Sequence, residues 1–155
     1  MIGRIGCAAA LAAVLSLATA ATAETRPTRL SPADIAALAE TGAGPGTSGV
    51  AGIHTTVLYG DPTVEGPYTI EIRVPPHTRI AAHTHRDDRS AVVVSGRWFF
   101  GYGATADAAK LKPLPPGSFY TEPADAPHFA MTGDEPAVVY ITGQGPTDTR
   151  YTAAP

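Results

Sequence analysis

His83-Thr84-His85 is the part of this chain best equipped for chemistry, and His128 is its natural partner. Alternate side chains of a β-strand point to the same face, so His83 and His85 project together into whatever their strand encloses. His128 opens another predicted strand. Neutral imidazole nitrogens converging from one strand, joined by a third from a neighbour, are a common way to hold a transition metal. Taken singly, each histidine is better read as a surface or hydrogen-bonded core residue, so the metal reading rests on the set.

The elements that must position these residues are short strands. From Val50 onward, runs rich in Val, Ile, Thr, Tyr and Phe fall at about 52–58, 68–74, 79–85, 90–95, 97–102, 118–122, 128–132 and 137–142. Breaks come at Gly60-Asp61-Pro62, Gly66-Pro67, Pro75-Pro76, Ser95-Gly96, Pro115-Pro116-Gly117 and Gly133-Asp134-Glu135-Pro136. Strands at this spacing, with no long helix among them, predict an all-β antiparallel sandwich or barrel over residues 49–155. Thr105 to Lys112 has room for one helical turn. Residues 24–48 differ in texture. Ser31-Pro32-Ala33-Asp34 reads as a helix start, with Ser as cap and Pro at the first helical position, and the helix continues through Ile35 to Glu40. Thr41 to Ser48, rich in glycine, ends it as a flexible connection. This predicts an N-terminal arm with a short helix, packed on the outside of the main domain.

The spacing around the histidines resembles that of the cupin superfamily, whose members are small jelly-roll-type β-barrels. The family's first motif reads G-x5-HxH-x3/4-E-x6-G, and its second G-x5-PxG-x2-H-x3-N. Here the first aligns as His77-x5-His83-Thr84-His85-x3-Arg89-x6-Gly96. The second aligns as Gly117-x5-Pro123-Ala124-Asp125-x2-His128-x3-Thr132. The resemblance covers about residues 50 to 145 and implies a metal at His83, His85 and His128. Four positions depart from it. Asp125 replaces a turn glycine, at modest cost because Asp tolerates left-handed backbone. His77 stands for the leading glycine and is read as solvated, and Thr132 stands for the trailing Asn. The consequential change is Arg89, which stands where the family carries the glutamate that completes the metal shell. Arginine cannot bind a cation.

Glu122 offers a substitute carboxylate. An acid within Phe119-Tyr120-Thr121-Glu122 is expensive to bury unless it is paired or coordinates a metal. Either it points inward as fourth ligand, or it faces solvent and the site is three-histidine only. If inward, Arg89 pairs with it from behind or offers its fork to an anionic substrate, and alternation sends Tyr120 inward as a proton donor. Trp98, Phe99 and Phe100 are read as core or pocket wall, Val92-Val93-Val94 as a buried strand, and Asp87 and Asp88 as turn formers. Tyr151 falls in a last edge segment.

The chain's beginning speaks to compartment. Met1-Ile2-Gly3-Arg4, an apolar stretch from Ile5 to Leu17 and Ala21-Thr22-Ala23 have the form of a cleaved signal peptide over residues 1–23, predicting a periplasmic or secreted protein with no membrane span after cleavage. Cys7, the only cysteine, would leave with it. The absence of a twin-Arg pair predicts export unfolded, with metal loaded outside the cytoplasm. Of 155 residues, removing 23 leaves 132, and 10 basic residues (11 less Arg4) then face 14 acidic ones, a net charge of −4. No basic cluster points to nucleic acid.

The resemblance implies an exported cupin with one divalent transition metal (Zn, Mn, Fe, Ni or Cu) inside the barrel, acting on a small molecule by oxygenase, isomerase or lyase chemistry. It leaves open a non-catalytic periplasmic ligand- or metal-binding cupin, and a barrel that lost its metal with the glutamate. It also makes a homodimer a natural assembly.

Overall fold

β-branched and aromatic residues alternate with polar ones through most of the chain, and that period-two pattern appears as strands. The computed structural model describes residues 26–42 and 47–152. The region read as a signal peptide lies outside them. The elements are α1 (Pro32–Ala36), β1 (Glu40–Thr41), β2 (His54–Tyr59), β3 (Gly66–Val74), β4 (Arg79–Thr84), β5 (Arg89–Tyr102), a 3-10 turn (Ala108–Lys110), β6 (Lys112–Leu114), β7 (Phe119–Glu122), β8 (His128–Gly145) and β9 (Arg150–Tyr151). Among the described residues no helix is long and apolar enough to cross a membrane.

All the strands join one antiparallel sheet that curls on itself, as in a jelly roll. Its spine is the long pair β5 and β8, with Ser90 opposite Thr142 at one end and Tyr102 opposite His128 at the other. One half of the sheet runs β1-β2-β3, the C-terminal part of β8, the N-terminal part of β5, then β7. The other half runs β9-β4, the N-terminal part of β8, the C-terminal part of β5, then β6. Ile70, Val93 and Val139 from the first half join Ile80, Trp98 and Phe100 from the second in a single core, so the two halves face each other.

The spine bends where the sequence suggested two turns. Gly96 has φ +73, and a Cβ there would lie 1.7 Å from the Pro136 carbonyl oxygen, so only glycine fits. Opposite it, residues 133–136 bulge against Arg97 alone, between the pairs Gly96–Ala137 and Trp98–Thr132. Each break therefore belongs within one bent strand. A second irregularity, where Val93 pairs with Val139 but Ser95 with Val138, puts one extra residue in β5 and switches its inward parity from Arg89, Ala91 and Val93 to Trp98 and Phe100.

That parity corrects two expectations. Val93 is buried, but Val92 and Val94 are 42% and 40% exposed on the outer face, and Phe99 is half-buried outside the core. The arm also differs in detail. Its helix stops at Ala36, capped by the reciprocal Ser31–Asp34 pair. Glu40 and Thr41 then pair with Thr56 and Thr55 of β2, where a flexible connection was expected.

Candidate metal centre

β4 delivers His83, the turn after it delivers His85, and β8 opens with His128, the direct register partner of His83. A register irregularity between Ile80 and His83 lets both line the interior. All three histidines are buried. Their rings stand 4.4 Å (His83–His128), 4.9 Å (His83–His85) and 5.1 Å (His85–His128) apart between centroids. One nitrogen of each lies within 4.8 Å of the others.

The backbone fixes which nitrogen each ring offers. His83 Nδ1–H donates to Ala81 O at 2.7 Å, His128 Nδ1–H to Ala126 O at 3.0 Å, and His85 Nδ1–H to Asp148 O. A carbonyl only accepts, so each Nδ1 carries the proton and each Nε2 presents a lone pair. Burial, with smaller contributions from neighbouring charges, holds His83 down to about 4 and His85 down to about 2, and lowers His128 as well. At neutral pH the set is three uncharged imidazoles. His128 Nε2 is buried with no hydrogen-bond partner. An orphaned buried acceptor of this kind costs about 1–3 kcal/mol. A divalent transition ion would satisfy it, and so the donor set fits one.

Glu122 ends β7, directly opposite Arg89 on β5. Both are buried. Arg89 Nε donates to Glu122 Oε2 at 2.6 Å, and its Nη2 touches the same oxygen while lying 2.6 Å from His85 Nε2. Glu122 Oε2 is 3.8 Å from His85 Nε2 and 3.7 Å from His128 Nε2. Burial pushes the Glu122 carboxyl up, but Arg89 and the histidines outweigh it and hold it at about 2. Burial likewise opposes the Arg89 charge, and Glu122 more than restores it. The centre is thus three neutral rings beside one buried ion pair. Glu122 faces the interior, and Arg89 lies beside the histidines.

Tyr120 also points inward, and burial followed by the Glu122 charge raises its phenol well above the ordinary value. Its hydroxyl sits beside the Trp98 indole N–H, yet neither atom is in hydrogen-bonding geometry with a partner. His77 is solvent-facing, 3.7 Å from Asp134. Asp125 takes the left-handed conformation at φ +59.

Several positioning contacts carried no sequence signal. Asp125 N–H donates to His85 O at 2.8 Å, and Asp88 accepts from Ala124 N–H at 2.9 Å, pinning the turns that carry His85 and His128 to each other. Asp87 is buried rather than a simple turn former, and accepts from Tyr68 Oη and Thr147 Oγ1. Over His83 the arm and the C-terminal segment meet. Thr149 Oγ1 donates to Thr47 O at 2.5 Å, and Tyr151, with its ring 5.6 Å from His83, donates to Ser48 O.

No protein-family profile matches this sequence, and no curated protein does. Solved structures do match. A cupin-like protein from Thermotoga maritima superposes with TM-score 0.54 at 17% identity, over 70% of this chain and 84% of its own. An RmlC-like cupin from Shewanella frigidimarina gives 0.51 at 18% identity, over 61% and 78%. The chain has the cupin fold. The polyketide cyclase RemF from Streptomyces resistomycificus matches this chain with TM-score 0.64 at 16% identity, over 84% of this chain and 88% of the cyclase. One of the DMSP lyases RdDddP and RnDddQII gives 0.50 at 23% identity, over 61% of this chain but only 48% of the lyase, so the chain spans about half of that protein. Identities this low bear on fold alone. The cupin neighbours include enzymes, and the three buried histidines could hold a metal.

Proposed function

We propose that this cupin binds one divalent transition metal through His83, His85 and His128, with Glu122 supplying the fourth ligand, and acts on a small organic molecule. The observation that carries the reading is the common hydrogen bonding of the three rings. Each Nδ1 is committed to a backbone carbonyl, and each Nε2 is turned inward, that of His128 onto no partner at all. When bound, such an ion polarises an oxygen of a ligand or activates a water or dioxygen at an open position. The chain's own contribution is to keep the imidazoles neutral and to hold Tyr120 as a protonated donor beside Glu122. The inner cavity lined by His83, His128, Tyr120 and Glu122 is about 30 Å³. That admits a water or two beside an ion, since one water needs roughly 10–15 Å³. The reaction is of oxygenase, isomerase or lyase type.

A second reading, a non-catalytic metal- or ligand-binding cupin, draws on Arg89. Its guanidinium stands at the His85 lone pair, so an incoming ion must displace that contact. Metal analysis by mass spectrometry on protein purified without chelators tests both. Near-stoichiometric metal, lost in His85→Ala, supports the centre, whereas protein that is metal-free and takes up no Zn, Mn or Fe on titration overturns it. The reading of residues 1–23 as a cleaved leader places the protein in the periplasm or outside the cell. A secreted chain whose first residue is not Glu24 would count against that site.

A further inference from the structure

A groove between β6 and β7 shares part of its wall with the histidine cavity. It has a volume of about 500 Å³ and is walled by Phe100, Tyr102, Phe119 and Tyr120, with Lys110 and Lys112 at its mouth. Phe100 and Tyr120 also line the inner cavity. Their rings are 4.1 Å apart, and Phe100 is stacked 5.4 Å from His128, so one aromatic layer separates groove from centre. Across His83 the approach is taken by Tyr151 and Ser48.

The inner cavity is too small for the body of an organic molecule, and the groove falls within the range of small-molecule pockets, roughly 300–1,000 Å³. Phe119, the most exposed of the large apolar side chains at 63%, presents its ring at the rim. The groove's lining carries two cations and no anion on a chain of net charge −3, and neither lysine is ion-paired among the described residues.

We propose that this groove binds a small aromatic carboxylate, its ring against Phe100, Tyr102 and Phe119 and its carboxylate at Lys110 and Lys112. Rings of this kind stack favourably on aromatic walls, and exposed lysines select anions without burying charge. The proposal stands apart from the metal-centre reading, because the Phe100–Tyr120 layer lies between the groove and the histidines.

The test is calorimetric titration of the full chain, loaded with Zn, with cinnamate and with its methyl ester. Cinnamate should bind about fivefold more tightly than the ester, by the usual worth of two exposed ion pairs. The Lys110→Ala/Lys112→Ala variant should lose that advantage while binding the ester as before, and raising salt should do the same. Phe119→Ala, at an exposed position, should weaken both ligands. Cinnamate that does not bind, or that binds the lysine variant as well as the parent, overturns the groove. His85→Ala separates the two readings. Lysine-dependent binding retained in a His85→Ala variant and in a parent that takes no metal would leave the groove standing and sink the metal centre. Binding lost in His85→Ala but indifferent to the lysines would mean coordination by the metal, and would sink the groove.

Discussion

Replacing Arg89 with methionine should weaken the metal-free protein and strengthen its hold on metal. The guanidinium is buried, donates to Glu122 at 2.6 Å and has its second nitrogen 2.6 Å from His85 Nε2. Methionine keeps much of the aliphatic stem and removes the cation. Without metal, Glu122 would be left as an uncompensated buried charge, and breaking a buried pair in this way costs about 3–5 kcal/mol. With metal the sign reverses. In the parent, an ion entering the centre must take the His85 lone pair from a charged donor, and hydrogen bonds to charged groups are worth about 1.5–3 kcal/mol. In Arg89→Met that contact is already gone and the carboxylate is free to face the ion. At tenfold per roughly 1.4 kcal/mol, Zn affinity should rise about 10- to 100-fold. Chelator-competition titration gives the affinities, and urea denaturation with and without Zn gives the stabilities. The metal should return much of the lost stability by mass action, about 2.7 kcal/mol at a hundredfold excess over Kd. A folded Arg89→Met protein that binds Zn no more tightly than the parent would refute the idea that Arg89 competes for the site.

The reciprocal change, Glu122→Gln, should lower stability by about 3–5 kcal/mol because it strands Arg89, and should weaken Zn binding at least about tenfold. Unaltered affinity in the same competition assay would remove Glu122 from the centre. For Tyr120→Phe, loss of a buried hydroxyl with no partner should leave stability unchanged or raise it by up to about 1 kcal/mol. A clear loss in urea denaturation would show that the hydroxyl bonds the Trp98 indole after all. Acid should destabilise the metal-free protein. His83 and His85 titrate at about 4 and about 2 in the folded chain and near 6.5 once unfolded, so below pH 6.5 the unfolded state takes up protons that the folded state refuses. Stability should hold above pH 7 and fall from 6.5 toward 4 by up to about 1.4 kcal/mol per pH unit per histidine, with Glu122, held at about 2, adding below 4.5. Equal urea midpoints at pH 7 and pH 5 would contradict histidines held neutral by burial.

The histidines were legible because His85 follows His83 by two residues at the end of a strand, close enough to extended backbone to share its face, and the spacing to His128 matched the motif. The inward set of Glu122 and Tyr120 followed from the same parity once one of them was placed. The two long strands were not legible. A glycine at a bulge and a glycine at a turn look alike in sequence, and only the close approach of Gly96 to Pro136 tells them apart. The exposure of Val92 and Val94 has the same root, since three valines in a row suit a strand covered on both faces as well as one covered on one. Nor could the sequence place carbonyls, and it is the carbonyls of Ala81, Ala126 and Asp148 that set the tautomers.

Arg89 shows what a motif position does and does not dictate. Its place in β5 points it inward, directly opposite Glu122, so the motif's carboxylate position and the carboxylate proposed in its stead lie on paired strands. The exchange moves the negative charge from β5 to β7 and adds a positive one. A dication among three neutral imidazoles and one carboxylate leaves an excess charge of +1; with Arg89 held in place the excess is +2. Coulomb repulsion between that ion and the guanidinium, even at an effective dielectric constant near 20, amounts to several kcal/mol at roughly 4–5 Å. An anionic ligand drawn to the centre would relieve it. On the proposed shell the Arg89–Glu122 pair would couple metal affinity to the charge of whatever else enters, and in Zn competition titrations a neutral ligand should leave binding unchanged where a carboxylate tightens it.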